Sequence, residues 1–106
     1  MKKLILVIST FPNHKICERI AEDLVKKRLA ACCNYFSAES SYIWQEKLAR
    51  SKEFMMFMKT TRENYPALES YLRKKHPYQL PEIIALEINR GEKKYLNWIM
   101  KGAKIG

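Results

Sequence analysis

The sequence predicts an α+β fold, and three observations lead to it. Strand-like apolar segments lie at residues 3–9, 32–44, 53–60 and 83–88. Amphipathic helical patterns lie at residues 13–28 and 64–75, each between two of these segments. A helix that joins two strands of one sheet normally makes a right-handed crossover. The order βαββαβ therefore predicts a ferredoxin-like sandwich, with both helices on one face of the sheet.

The first strand and the first helix have clear boundaries. Residues 3–9 are apolar at almost every position, which is typical of a strand covered on both faces. The apolar run is too short for a signal peptide and has no cleavage site after it. Asn13 is expected to cap a helix that reaches about Arg28. The buried stripe of that helix is expected to contain Ile16, Ile20 and Leu24.

The middle of the chain predicts a hairpin. Residues 32–36 form the expected second strand, and residues 40–44 are expected to continue it past an irregular stretch at 37–39. The polar residues 45–52 are interpreted as the hairpin loop. The third strand, residues 53–60, is apolar on both sides.

A proline-bracketed turn separates the second helix from the fourth strand. Asn64 is the expected cap of that helix, and Pro77 is expected to end it. Residues 83–88 predict a buried strand. A short helix at residues 92–100 and a tail at 101–106 complete the chain.

The sequence places more apolar residues in the strands than two helices can cover. The run Met55-Met56-Phe57-Met58 cannot point entirely at one face, because neighbouring residues of a strand point to opposite faces. An apolar sheet face without a cover usually marks an interface. We therefore expect this face to pack in a closed symmetric oligomer.

Length and composition indicate one globular domain over residues 1–106. No segment is apolar enough over the length that a membrane span needs, and we expect a cytoplasmic protein. Cys17, Cys32 and Cys33 are odd in number and do not form a disulfide pattern. The net charge of +9 is spread along the chain without a nucleic-acid-binding motif. We interpret it as a solvated basic surface rather than a nucleic-acid site.

A series of short motifs resembles the CutA divalent-cation tolerance family over nearly the whole chain. The matching segments are Thr10-Phe11-Pro12, Arg28-Leu29-Ala30-Ala31-Cys32-x-Asn34, Tyr42-x-Trp44, Lys59-Thr60, His76-Pro77-Tyr78-x-x-Pro81-Glu82-Ile83-Ile84 and Tyr95-Leu96-x-Trp98. The resemblance implies a homotrimer similar in architecture to the PII signalling proteins. It also implies a role in divalent metal tolerance and binding of copper. Glu46 stands where the family commonly has glycine, which puts a tight hairpin turn in doubt.

The resemblance makes Cys32 and His76 the candidate copper ligands, because they fall on the family's cysteine and histidine positions. Thiolate and imidazole both suit copper. Cys33 and Glu82 are further possible ligands, although Cys33 points to the opposite face from Cys32 unless the strand twists. The alternative is structural: a strand cysteine is often a small buried apolar residue, and a histidine before proline can simply end a helix.

Four other side chains are expected near the turn at residues 76–84: Trp44, Lys59, Tyr78 and Glu82. In a trimer they would line a cleft between subunits that suits a small ligand. Alternatively, Trp44 and Tyr78 anchor the interface while Lys59 and Glu82 form an ion pair. The sequence contains no catalytic set and no phosphate loop, so we do not expect an enzyme. Two hypotheses remain: a copper-binding tolerance protein, or a PII-like scaffold for an unidentified protein or small-molecule partner. A third, nucleic-acid binding through the net charge of +9, stands behind them.

Overall fold

The observed element order matches the predicted one. A computed structural model of the chain describes residues 3–104. The elements are β1 (Leu4–Phe11), α1 (His14–Lys26), β2 (Cys32–Trp44), β3 (Lys47–Thr61), α2 (Tyr65–Lys75), β4 (Ile84–Ile88) and α3 (Lys93–Gly102). The α+β class, the βαββαβ order and the added C-terminal helix are therefore confirmed. Residues 1–2 and the end of the predicted tail, 105–106, lie outside the described residues.

The four strands form one sheet in the order β2-β3-β1-β4, and each neighbouring pair is antiparallel. β3 lies between β1 and β2, so α1 crosses over β3 to join them. This is the split arrangement that the sequence order predicts. β2 and β4 form the two edges of the sheet in the described chain.

The main core lies between the sheet and the helices α1 and α2. The sheet contributes Val7, Met56 and Met58 to it, and each of these side chains is fully buried. The helices contribute Cys17, Leu24, Leu68 and Leu72, which are also fully buried. The predicted helix periodicity is therefore confirmed, since its apolar stripe faces the sheet.

Asn13 caps α1 as expected. Its side-chain oxygen accepts a hydrogen bond from the Ile16 amide at 2.9 Å. Asn64 stands at the N-cap position of α2, as predicted, but its side chain does not act in this way. Thr61 caps the short 3₁₀ turn Arg62–Asn64 instead, and the Asn64 side chain makes no capping bond to α2. Asn64 instead donates to three acceptors, which are discussed below.

The predicted irregular stretch and long hairpin loop are both absent from the β2–β3 pair. Its register runs without interruption from Cys32 opposite Lys59 to Trp44 opposite Lys47. Residues 37–39, although weak strand formers, are held because each pairs with a β3 residue. Polar residues interpreted as loop are therefore strand, and the connection shortens to Gln45 and Glu46.

The tight turn survives without glycine. Gln45 has φ 50° and Glu46 has φ 66°, so both adopt the left-handed conformation that two-residue hairpin turns require. The question that Glu46 raised is thereby answered, since the tight turn forms with glutamate at this position. A non-glycine residue in this conformation costs roughly 1–2 kcal/mol, and the long antiparallel ladder that follows offsets that cost.

The sheet face opposite α1 and α2, here called the open face, is only partly covered. α3 covers one end, where Leu4, Ala31, Ile99 and Ala103 form a second small core. The uncovered remainder includes Phe36, Ile84 and Leu86, which are 43%, 50% and 51% exposed. The prediction of a buried fourth strand was wrong for the single chain, because β4 is an edge strand with only β1 beside it. No helix within residues 3–104 has the length and apolar character that a membrane crossing needs.

Candidate functional site

His76 is held at the C-terminal end of α2 by bonds to both ring nitrogens. It is extended, with φ −69° and ψ 133°, as a residue before proline should be. Its Nε2 lies 2.8 Å from the Thr10 carbonyl oxygen and 3.2 Å from Ser9 Oγ, and its Nδ1 accepts from the Tyr78 amide at 3.1 Å. A carbonyl accepts only, so Nε2 carries the proton and the ring is the neutral tautomer.

Burial also keeps this histidine neutral. Its ring stacks on Phe11 with a centroid separation of 4.6 Å and lies 5.0 Å from the Tyr78 ring. Desolvation lowers the pKa of His76, and the hydrogen bond to Thr10 opposes that shift only in part. A metal ion would have to displace Thr10 or Tyr78 to reach a ring nitrogen. The geometry of the single chain thus matches the structural alternative for His76.

Cys32 lies at a different level of the sheet and on the other face. It sits opposite Lys59, which pairs with Leu6, whereas His76 contacts Ser9 and Thr10. Three to four residues of strand separate these levels, roughly 10–13 Å. Cys32 is half-buried on the open face, and its sulfur lies 3.7 Å from Asn34 Oδ1. The two candidate copper ligands therefore do not meet within one chain.

Cys33 points into the core between the sheet and α1. Burial first, and then the nearby thiols of Cys32 and Cys17, raise its pKa to about 12. Burial raises the pKa of Cys17 to about 11. A thiol must lose its proton to bind a metal, so the side chains of Cys33 and Cys17 are poor ligands where they lie. Among residues 3–104, no three His, Cys, Asp or Glu side chains come together as a metal-binding group.

The hairpin cleft, lined by residues of β2, β3 and the loop at 77–82, brings three of the four predicted cleft residues together. These three are Trp44, Tyr78 and Glu82, and the cleft has a volume of about 540 Å³. Tyr78 is fixed because its hydroxyl donates to Glu53 Oε1 at 2.9 Å. Burial, together with this bond to a carboxylate, raises the pKa of Tyr78.

Lys59 is the predicted cleft residue that lies elsewhere. Its ammonium donates to the Tyr95 hydroxyl at 2.9 Å, at the end of the open face that α3 covers. This hydrogen bond, the largest contribution, raises the pKa of Lys59. The predicted ion pair between Lys59 and Glu82 is absent from the described residues. Register explains this, since Lys59 pairs with Leu6 whereas the cleft reaches β1 at Thr10.

Sequence reasoning missed an aromatic and an acidic side chain of the cleft. Tyr42 and Glu53 both line the cleft. Tyr42 is recoverable, because residues two apart on a strand share a face and Trp44 was already selected. Glu53 required the hairpin register, which the sequence did not provide once residues 45–52 were interpreted as loop.

The chain matches known proteins over almost its full length. A family model described as "CutA1 divalent ion tolerance protein" matches residues 5–102. A Thermotoga maritima protein named "Divalent-cation tolerance protein CutA" is 41% identical over 96 residues, covering 91% of this chain and 95% of the relative. The human "Protein CutA" is 41% identical over 91 residues, covering 85% of this chain, and the chain spans 51% of its length.

Solved structures agree with the sequence match. CutA from Synechococcus elongatus superposes with a TM-score of 0.94 at 32% identity, covering 98% of this chain and 93% of that one. A structure from Archaeoglobus fulgidus, described as a periplasmic divalent cation tolerance protein, has a TM-score of 0.92 at 35% identity. It covers 95% of this chain and 99% of its own. The family match, the identities and the shared fold lead to one conclusion: the chain belongs to the CutA1 divalent ion tolerance protein family.

Proposed function

We propose that this protein acts in tolerance of divalent metal ions, chiefly copper, as a homotrimer in the cytoplasm. The observation that carries the proposal is the family match over residues 5–102, together with a relative at 41% identity that is named for divalent-cation tolerance. The role is one of binding rather than catalysis, since the sequence offers no catalytic set. The single-chain geometry supports a role for a second subunit in metal binding, because Cys32 and His76 do not meet within one chain.

The open face supports assembly into an oligomer. Phe36 and Phe57 pack edge to face at 5.2 Å, and Ile84 and Leu86 extend the apolar surface to the β4 edge. Burying such side chains in an interface stabilises the assembly by about 25 cal/mol for each Å² of apolar surface removed from water. Covering this apolar part of the open face with further copies of the chain recovers that free energy, and the family resemblance supplies the number three.

Copper binding is assigned chiefly to Cys32 in this proposal. Cys32 is half-buried on the open face, whereas Cys33 lies in the core with a raised pKa. His76 remains a proposed second ligand, but Cys32 and His76 would have to belong to different subunits or to bind different ions. Thiolate sulfur favours Cu(I), so reduced protein is the relevant form.

Growth of cells in copper tests the proposal. A strain that lacks this protein should be copper-sensitive, and expression of the wild-type chain should restore growth. Cys32→Ser should fail to restore it and should weaken copper binding by the purified protein at least about tenfold. Cys17→Ala, which alters a cysteine of the core, is the matched control and should restore growth. Full rescue by Cys32→Ser would remove Cys32 from the site.

A second function, a PII-like scaffold for a protein or small-molecule partner, is favoured by the bonding of His76. Both ring nitrogens already have partners in Thr10 and Tyr78. On this alternative, metal binding is incidental and the assembled trimer itself is the functional product of the fold. Tagged protein should then recover the same partner from lysate with and without chelator. Loss of the partner on chelation would contradict the scaffold function.

A further inference from the structure

The hairpin cleft carries a charge opposite to that of the whole chain. The formal net charge is +9, yet the charged side chains among the described residues that line the cleft are the carboxylates Glu53 and Glu82. The ion pairs within residues 3–104 are made elsewhere, by Lys27 with Asp23 and by Arg62 with Glu87. A cleft lined by one sign of charge concentrates counter-ions, so this cleft favours a cation.

Aromatic rings form the other part of the cleft lining. Tyr42 and Trp44 lie on the same face of β2, roughly 7 Å apart along the strand. Tyr78 enters from the loop at 77–82 and is fixed by its bond to Glu53. Trp44 is 49% exposed, so the indole is accessible to a ligand in the single chain. The faces of such rings attract ammonium groups, and methylated ammonium ions are bound in this way elsewhere.

The cleft suits an organic cation better than a metal ion. A divalent ion is best held by several charged oxygen ligands, but the described lining residues offer two carboxylates, of which Glu53 already accepts from Tyr78, and otherwise neutral hydroxyl and amide groups. An ammonium ion with attached carbon uses rings and carboxylates together. The volume of about 540 Å³ lies within the range of roughly 300–1,000 Å³ that small-ligand sites occupy.

We infer that the hairpin cleft binds a small organic ammonium ion, with Tyr42, Trp44 and Tyr78 contacting its carbon atoms and Glu53 and Glu82 balancing its charge. This site is distinct from Cys32 and does not depend on the proposed metal function. An organic ammonium ion would be the small-molecule partner of the PII-like scaffold function.

Tetramethylammonium is the probe, and tert-butanol is a neutral compound of nearly the same size. The assembled, full-length protein is titrated with each at constant ionic strength, while the two tryptophan indole signals are followed by NMR. The Trp44 signal should shift and saturate with tetramethylammonium, with a dissociation constant on the order of 1 mM. The Trp98 signal, from a ring on α3, should not shift. Tert-butanol should bind at least about tenfold more weakly.

Glu53→Gln separates charge from shape. The amide oxygen of the substituted side chain still accepts from the Tyr78 hydroxyl, so the cleft keeps its form while losing one negative charge. Tetramethylammonium affinity should fall by about threefold or more, and tert-butanol affinity should not change. Glu39→Gln is the matched control: Glu39 is exposed on β2 and does not line the cleft, and its loss should leave affinity unchanged.

Three results would overturn the inference. The first is equal affinity for tetramethylammonium and tert-butanol, which would make the cleft an apolar groove. The second is a Trp44 signal that fails to saturate or that moves together with Trp98. The third is a Trp44 ring that acrylamide cannot quench in the assembled protein, because a second copy of the chain would then fill the cleft. Copper sensitivity of growth is measured separately, so failure here leaves the metal proposal standing.

Discussion

The two ends of the open face place similar aromatic side chains in opposite electrostatic surroundings. At the α3 end, Tyr95 and Trp98 stack with their centroids 5.7 Å apart, and Lys59 donates to the Tyr95 hydroxyl at 2.9 Å. The Lys59 nitrogen is 5.3 Å from the ring centre, so it lies beside the hydroxyl rather than over the ring. At the hairpin end, Tyr78 donates to a carboxylate, Glu53.

This difference shows at which end the aromatic side chains have their polar partners within the chain. At the α3 end the partners come from the chain itself. Lys59 donates to the Tyr95 hydroxyl, and the Asn64 amide donates to main-chain carbonyls that follow α1 and α3. The hairpin end has its aromatic rings and carboxylates on the surface without a basic partner among the described lining residues. The first end is closed by contacts within the chain, and the second is where we propose that a ligand binds.

The largest effect is expected from Asn64→Ala at the α3 end. The buried Asn64 amide donates to the Arg28 carbonyl at 3.2 Å, to Thr60 Oγ1 at 3.3 Å and to the Ala103 carbonyl. Its removal leaves two main-chain carbonyls without this donor, which should cost about 3 kcal/mol of unfolding free energy. Urea unfolding measures this cost. Asn89→Ala, in the exposed segment before α3, is the control and should change stability by less than about 0.5 kcal/mol.

The next effect concerns His76, which supports the hairpin cleft from beneath its loop. Its pKa is lowered in the folded chain, so the unfolded chain binds the proton more readily. Stability should therefore be full above the ordinary histidine pKa and should fall as the pH drops from about 6.5 towards the lowered folded value. His76→Gln keeps a donor for the Thr10 carbonyl but does not titrate. It should cost about 1 kcal/mol at neutral pH.

The control for this pH dependence is His14→Gln, because His14 is an exposed residue at the start of α1. Chemical unfolding at a series of pH values compares the two variants. The acid-side loss of stability should shrink in His76→Gln and persist in His14→Gln. An unchanged pH profile in both variants would contradict the bonding described for His76.

The sequence predicted the fold well because apolar periodicity and the residues that end helices are local features of the chain. Alternating or continuous apolar runs identified the strands, and Asn13 and Pro77 identified the ends of the helices that they border. The predicted length of the hairpin loop was wrong because residues 45–52 are mostly polar. Most of them lie on the part of β3 that extends beyond the core, where solvent covers both faces in the single chain. Polar composition in such a strand resembles a loop, and only the cross-strand register reveals the pairing.

The candidate site was predicted in part, for a related reason. Trp44, Tyr78 and Glu82 line one cleft of the single chain, whereas the cleft between subunits stays a prediction. Lys59 lies outside this cleft in the single chain and Glu53 was not selected, since the position of both depends on the register along β3. The pairing of Cys32 with His76 rested on resemblance alone, and it stays a prediction for the assembled protein.

A smaller, stabilising effect is expected from Glu46→Gly at the hairpin end. Glu46 has φ 66°, which glycine adopts without steric cost. Part of the gain is offset by the greater flexibility of glycine in the unfolded chain, so we expect about 0.5 kcal/mol of added stability. Thermal unfolding measures it. Glu39→Gly, in a paired strand of ordinary geometry, should destabilise instead, and the same sign for both would contradict the turn assignment.

The smallest effect is expected from Tyr95→Phe at the α3 end. The variant removes the hydroxyl that Lys59 contacts but keeps the stacked ring, so stability should change by less than about 0.5 kcal/mol. The pKa of Lys59 should fall, because the hydrogen bond to Tyr95 is the main cause of its increase. NMR titration of the lysine side chain checks this. Tyr42→Phe, at the hairpin end, should leave the pKa of Lys59 unchanged.

The most direct test of the proposed function is native mass spectrometry of the reduced protein during a copper titration. It reports the number of subunits and the metal stoichiometry in one experiment. The proposal predicts a trimer that takes up copper in a multiple of three and then saturates, and Cys32→Ser should lose that uptake. A trimer with only gradual, unsaturating copper adducts would contradict a specific metal site, and a monomer would contradict the proposed assembly through the open face.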